Sequence, residues 1–309
     1  METALESTPA RDSWLRYAAS EPLERPIPEG RNADHTWRVR LMGGLAVGQH
    51  SRQWDGAQVG SRRARRLLAL LAISAGHLVP MDRIVEVLWP TARPQRPAAN
   101  VATMVSRLRA TFHARVIVGS RQGYRVGEQV GNDLSAAEEL VAAAEAHFAV
   151  HQFKPAQVAA DAALDLMHND VLPELPDDLW VTSARALRQR LRRRAWHTSA
   201  DAALHDGDPL AALATAETAM DAEPFDEAAC RLVMRACDAL DQPASALVAY
   251  NRLRLVLADD LGVDPAQPTQ SLYLAILRGP DRFHRNARRN TSATVPVSVG
   301  RPRTGGTTP

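Results

Sequence analysis

Cysteine is almost missing: Cys230 and Cys237 are the only two in 309 residues. They lie seven positions apart in one helical pattern, about 10 Å along the axis at roughly 1.5 Å per residue, which is too far for a disulfide. No histidine stands near enough to complete a zinc set, so both thiols are expected in the core of a reduced, cytoplasmic protein. Aromatic residues make up only 5% of the chain against 45% apolar overall, a balance that suits a helix-rich soluble protein. No apolar run approaches the ~20 residues of a membrane span, and the N-terminal METALESTPARD lacks the basic and apolar regions of a signal peptide. Catalytic and phosphate-binding motifs are missing as well. There is no G-x-x-x-x-G-K-[ST], no G-x-S-x-G and no H-E-x-x-H, and the 10 histidines are scattered. No metal, no cofactor and no enzymatic activity are expected. Only 60 residues precede the first long helical pattern, too few for a phosphoacceptor receiver domain.

The charge is present but divided. Residues 61–125 carry 12 Arg against 2 acidic residues, whereas residues 126–279 carry 12 basic against 24 acidic ones, so the net charge of +2 conceals a basic module joined to an acidic one. The basic module has the footprint of a polyanion binder, since neutralising phosphates and releasing counterions supply most non-specific nucleic-acid affinity.

Within it, RPAANVATMVSRLRATFHARVIVGSRQGYRV predicts one helix with a buried stripe of Val101, Val105, Leu108 and Phe112. The neighbouring stripe is Asn100, Thr103, Met104 and Arg107, whose side chains are of types that read base edges in a duplex groove; the alternative for Met104 is a partly buried filler and for Thr103 a plain helix-surface residue. Arg109, about 200° away from Arg107 around the helix, is expected to meet phosphate or an acid. VIVGSRQGYRV then reads as a hairpin whose basic turn presents Arg121, Gln122, Tyr124 and Arg125. Upstream, WRVRLMGGLAV reads as a strand, a bend at Gly43-Gly44 and a second strand, with a third near Gln58-Val59. SRRARRLLALLAISAGH reads as a helix with Leu67, Leu68, Leu70, Leu71 and Ile73 as core. Its early arginines oppose the helix macrodipole, a conflict that an adjacent phosphate would relieve; Arg62 and Arg63, with Arg96 at the start of the next helix but one, are therefore expected at a DNA backbone. VPMDRIVEVLWP is a shorter helix stopped at Trp89-Pro90.

Past a linker, GEQVGNDLS, the pattern is nearly all helical. Asp133 is expected to cap a helix through Val150, a second runs from about Pro155 to Met167, and a long one begins near Trp180 after LPELPDDLW. The arginines 185, 188, 190, 192, 193 and 194 of that long helix point to all sides and are expected as a solvated face, with an interdomain or DNA-flank contact as the alternative. GDPLAALATAETAMDAEP aligns with DQPASALVAYNRLRLVLAD at an offset of 34 residues, the period of tetratricopeptide (TPR) helix pairs.

The run LLALLAISAGHLVPMDRIVEVLWP, Asn100, the VSRLR of 105–109 and Gly123-Tyr124 resemble the OmpR-type winged helix. More closely, they resemble the amino-terminal half of the Streptomyces antibiotic regulatory proteins (SARP). ALVAYNRLRLVLADDLGVDPAQPTQSLYLAILRG, with Tyr250, Leu253, Leu257, Leu261, Gly262, Val263 and Pro265, resembles the bacterial transcriptional activator domain (BTAD) of that family. Two departures from the pattern stand out: Met104 replaces a commonly polar residue, and the basic residues are all Arg. The expected fold is mainly α with a small β component, an N-terminal winged helix-turn-helix followed by an α-helical TPR-like repeat domain. The boundaries are 1–36 for a disordered extension, 37–128 for the DNA-binding domain, 129–279 for the activator domain and 280–309 for a disordered basic tail. The resemblance implies an activator of antibiotic or other secondary-metabolite clusters. It would bind promoter direct repeats in double-stranded DNA, contact RNA polymerase holoenzyme, self-associate on DNA, and sit at the nucleoid in the cytoplasm. The competing reading is a helical-repeat interaction scaffold, for which the basic hairpin would have no use. The segment from Asp34 to Glu128 is expected to fold alone.

Overall fold

The computed structural model describes residues 37–176 and 178–279. The expectations for 1–36, including a short helix around Trp14 to Ala19, and for 280–309 lie outside these described residues.

In β1 (Trp37–Arg40), Trp37 and Val39 are buried while Arg38 and Arg40 are half-buried, as the period of two requires. Gly43 and Gly44, at φ +77° and +111°, turn the chain into β2 (Ala46–Gln49), antiparallel to β1, and β3 (Arg52–Asp55) pairs with β2. The third strand therefore precedes the expected Gln58-Val59. Those two residues belong instead to a one-turn helix, α1 (Gly56–Val59). The cause is local: the Gln58 side chain accepts the Asp55 N–H at 3.4 Å, half of the capping box that starts a helix.

Ser61 caps α2 (Arg62–Ile73), its hydroxyl accepting from the Ala64 N–H at 3.2 Å. Leu67, Leu68, Leu70 and Leu71 are buried, whereas Ile73 is only half-buried. After β4 (Val79–Pro80) comes α3 (Met81–Leu88), which buries Ile84, Val85, Val87 and Leu88 and stops at Trp89. Pro97 opens α4 (Pro97–Thr111), where its missing N–H costs nothing. The expected hairpin follows as β5 (Ile117–Ser120) and β6 (Gly123–Val126), and β4 joins it in the order β4-β6-β5. Three helices and this hairpin make the winged helix.

The linker does more than connect. Its β7 (Val130–Asn132) lies parallel to β1 and completes the sheet order β3-β2-β1-β7. Asn132, not Asp133, caps α5 (Asp133–Ala149): its Oδ1 accepts from the Ser135 N–H at 2.8 Å, and its Nδ2 donates to the Ala72 carbonyl at 3.0 Å. The Asp133 carboxylate is thereby free to turn back on β1. It accepts the N–H of Leu41 at 2.8 Å and of Met42 at 2.9 Å, and is 2% exposed. Burial pushes this carboxyl up to about 6, against the pull of those backbone donors.

Next come α6 (Phe153–Leu166) and α7 (Leu179–His205). The segment between them is fastened on both sides. Its Asp170 carbonyl accepts from the Gly43 N–H, its Leu172 N–H donates to the Leu41 carbonyl, and the Glu174 carboxylate accepts from the Leu45 N–H. From the other side Arg185 donates to the carbonyls of Val171, Leu172 and Leu175, and Arg188, only 4% exposed, donates to the Met167 carbonyl and to Asp170. Arg193 pairs with Glu223, Arg194 with Glu145, and Arg192 lies over Trp196. The expected solvated face is thus largely a set of clamps, because a guanidinium can satisfy the several carbonyls that an irregular segment leaves unpaired.

α8 (Pro209–Ala222), α9 (Glu227–Ala239), α10 (Pro243–Leu261) and α11 (Gln267–Arg278) follow, each packed on its neighbour in sequence. The 34-residue offset holds in space: Pro209 and Pro243 each open a helix, Ala212 and Ala246 are buried, and Leu213 and Leu247 are half-buried. Cys230 and Cys237 are buried thiols on α9, and burial pushes Cys230 up to about 12. The hydrophobic core does not divide at 128/129. One cluster runs from Trp37 to Ala195, and a second begins at Trp196 on the same helix α7. Among the described residues no helix is long and apolar enough to cross a membrane.

Because the folded chain holds the Asp133 proton more tightly than an unfolded one, this group's contribution to stability falls as pH rises from about 4 to about 6, by about 3 kcal/mol, and is flat above. Urea unfolding of the wild type compared with Asp133→Asn across that range measures it; equal slopes for the two proteins would contradict it. A chain cut at Glu128 loses β7, Asn132 and Asp133, and with them the partner of β1 and the carboxylate that holds the Leu41 and Met42 amides. We expect such a fragment to lack a cooperative thermal transition, whereas one extended through Arg194 has one.

Candidate nucleic-acid interface

The basic module presents its polar residues on α4 and on the turn of the β5-β6 hairpin. On α4 the buried side is Val101, Val105 and Leu108, with Phe112 half-buried beyond them, as the apolar spacing requires. Phe112 meets Trp37 and Trp54 edge-on at ring-centroid distances of 5.8 and 5.5 Å. The sheet thus braces the end of the helix. At about 100° per residue, the opposite face consists of Ala99, Thr103, Ser106, Arg107 and Ala110, all exposed, with Asn100 exposed beside it.

Met104 differs from the other three residues of the expected stripe. It is half-buried and packs against the core. The same angular step explains this, for Met104 falls next to the direction of Val101 and Leu108, where a flexible thioether fills space. Thr103 donates its hydroxyl to the Ala99 carbonyl at 3.0 Å, leaving its methyl and oxygen lone pairs outward. Ser106 was not in the expected stripe, yet a full helical wheel of 97–111 would have placed it on the outer face.

The arginines sort by what they already hold. Arg62 and Arg63 are exposed at the start of α2, with Arg63 over the Trp89 ring. Arg65 donates to the Gly60 carbonyl and Arg66 pairs with Asp178 at the start of α7, so only the first two of the four stand toward solvent. Arg96 is exposed at the N-cap of α4, whose first turn contains no acidic residue, leaving the positive end of the helix open.

In the hairpin the closing pair is Ser120 and Gly123, and Arg121 and Gln122 form the exposed two-residue turn. Arg125 is half-buried and meets Glu128 at 3.4 Å. Two expectations change here. Tyr124 is 5% exposed and lies in the ladder opposite Val79 and Gly119; its strand register, hidden in the sequence, turns the ring inward and away from any phosphate. Arg109 meets neither acid nor solvent phosphate but donates to the carbonyls of Ile117 and Gly119. Arg115, absent from the expected set, is exposed just before β5; its place in a basic turn was the available signal.

Known proteins match this arrangement. The bacterial transcriptional activator domain family matches residues 132–277. The regulatory protein AfsR of Streptomyces coelicolor is 31% identical over 264 residues, covering 82% of this chain but 26% of AfsR. The chain therefore spans about a quarter of that relative's length. The transcriptional regulatory protein MoaR1 of Mycobacterium tuberculosis is 29% identical over 233 residues, 71% of this chain and 73% of MoaR1. Among solved structures, Mycobacterium tuberculosis EmbR in complex with a low-affinity phosphopeptide superposes with a TM-score of 0.70 at 26% identity, covering 84% of this chain and 70% of that one.

The sorting of the hairpin predicts opposite effects on stability. Tyr124→Ala should cost about 3 kcal/mol in urea unfolding, as expected for a large ring removed from a core, while Arg121→Ala should leave the midpoint unchanged.

Proposed function

Because the chain belongs to the Streptomyces antibiotic regulatory protein family of transcriptional activators, we propose that it activates transcription by binding double-stranded DNA at promoter direct repeats. Residues 37–128 serve as the DNA-binding unit and residues 129–279 as the activator unit. The observation that carries this reading is one exposed polar helix face beside an exposed basic turn, in a segment with 12 Arg against 2 acidic residues. Asn100, Thr103 and Arg107 read base edges in the major groove, Arg107 by the bidentate pairing that guanidinium makes with guanine. Met104, half-buried, contributes at most its thioether edge. Arg62, Arg63, Arg96, Arg121, Gln122 and Arg125 approach the phosphate backbone, where each cation displaces counterions without reading sequence.

The helical unit, with 24 acidic against 12 basic residues over 126–279, offers protein surface to RNA polymerase holoenzyme and to a second protomer on a neighbouring repeat. The genes served are those of a secondary-metabolite cluster, and the work is done in the cytoplasm at the nucleoid. The scaffold reading has no role for the exposed Arg121-Gln122 turn. The phosphopeptide belongs to EmbR and is not carried over.

Footprinting of DNA upstream of neighbouring genes tests the proposal: protected repeats about 10–11 base pairs apart put two protomers on one face of the duplex, and a chain that protects nothing is not a site-specific binder. On such a site Arg107→Ala should cost about 1–3 kcal/mol and relax specificity, while Arg121→Ala weakens all sequences alike and lowers the salt slope by about one. Equal losses on operator and random DNA for Arg107→Ala would remove it from base reading.

A further inference from the structure

The hairpin is held from two sides by different means. On one side β6 pairs with β4, and the Gln122 carbonyl in the turn accepts the N–H of Met81, the first residue of α3, at 3.1 Å. On the other side β5 is the edge of its sheet. There a single side chain reaches across from α4. Arg109 donates from Nε to the Ile117 carbonyl at 2.8 Å and from Nη2 to the Gly119 carbonyl at 3.3 Å, with its guanidinium carbon 5.9 Å from the centre of the Tyr124 ring. Carbonyls two residues apart on a strand point the same way, and the planar fork of a guanidinium can bridge both, which the single ammonium of a lysine does not. Gly119 itself is required by the hairpin: its φ is +126°, and a Cβ there would come within 2.3 Å of the Gly123 carbonyl oxygen on β6.

We propose that Arg109 is a positioning residue for DNA reading: it fixes the exposed face of α4 relative to the Arg121-Gln122 turn, so that a base contact by the helix and a phosphate contact by the turn are made together. This rests on the DNA-binding function proposed above. The turn's own residues touch no part of α4 through these bonds. Without Arg109 the outer strand loses both of its hydrogen bonds to the helix, and the hydrogen bonds that remain on the turn side are those to β4 and Met81.

The test uses the full chain with Arg109→Lys and Arg109→Ala, each checked for native far-ultraviolet circular dichroism. Without DNA, amide hydrogen exchange over residues 117–124 should quicken about tenfold or more in both variants, the expected effect of losing hydrogen bonds from a charged donor. On the footprinted operator, Arg121→Ala should cost affinity in the wild type but almost nothing further in either Arg109 background, whereas Arg107→Ala should combine with both within about a factor of two, the scatter of independent sites. Unchanged exchange overturns the proposal. So does full additivity of Arg109 and Arg121, or an Arg109→Lys that behaves as wild type, since a mere phosphate contact needs only the charge. A wild type that protects no operator overturns the DNA reading itself, and is told apart because exchange, measured without DNA, still reports whether Arg109 holds the hairpin.

Discussion

A carboxylate buried where two halves of a chain meet is costly to desolvate, and Asp133 is in that position. It tolerates burial because it replaces water with the amide hydrogens of Leu41 and Met42 at 2.8 and 2.9 Å, donors that the end of β1 would otherwise leave unpaired. Neither side is comfortable alone. Asp133, the first residue of α5, and the end of β1 are therefore held together, and further contacts of the junction lie beside them. β7 lies against β1, Asn132 reaches the Ala72 carbonyl on α2, and the segment before α7 grips the turn between β1 and β2.

This arrangement bears on how a two-part regulator communicates. β1 carries Trp37, which contacts Trp54 and Phe112, and Phe112 ends the stripe by which α4 is seated. Packed rings and a backbone ladder thus connect the start of the helical unit to α4. One hydrophobic cluster spans Trp37 to Ala195, so α7, 27 residues long, shares its first part with the core of the winged helix and its second with the repeats.

The exposed surface divides in the same spirit. Arginines that satisfy protein groups, such as Arg66, Arg109, Arg185 and Arg188, give the framework its shape, while Arg62, Arg63, Arg96, Arg107 and Arg121 stand outward. The same side chain serves both purposes because a guanidinium stays charged and offers five donors in a fixed plane. An alignment of basic character alone cannot separate the two sets.

What the sequence determined by itself was whatever depends on spacing along one element. The buried stripe of α4, the hairpin around a basic turn, the stop at Trp89-Pro90 and the 34-residue offset between α8 and α10 are local patterns, and local patterns survive folding unchanged. The positions of Met104 and Ser106 on α4 were also within its reach, since they need only the full helical wheel. What tertiary structure alone decided was every contact between residues distant in the chain. Asp133 reads as a helix cap until β1 comes beside it; Tyr124 reads as surface until β4 fixes its register; Arg109 reads as a phosphate ligand until β5 returns to it. In each case a polar or amphipathic side chain had two physically acceptable partners, water or a group on another element, and the choice depended on where the backbone brought the second one.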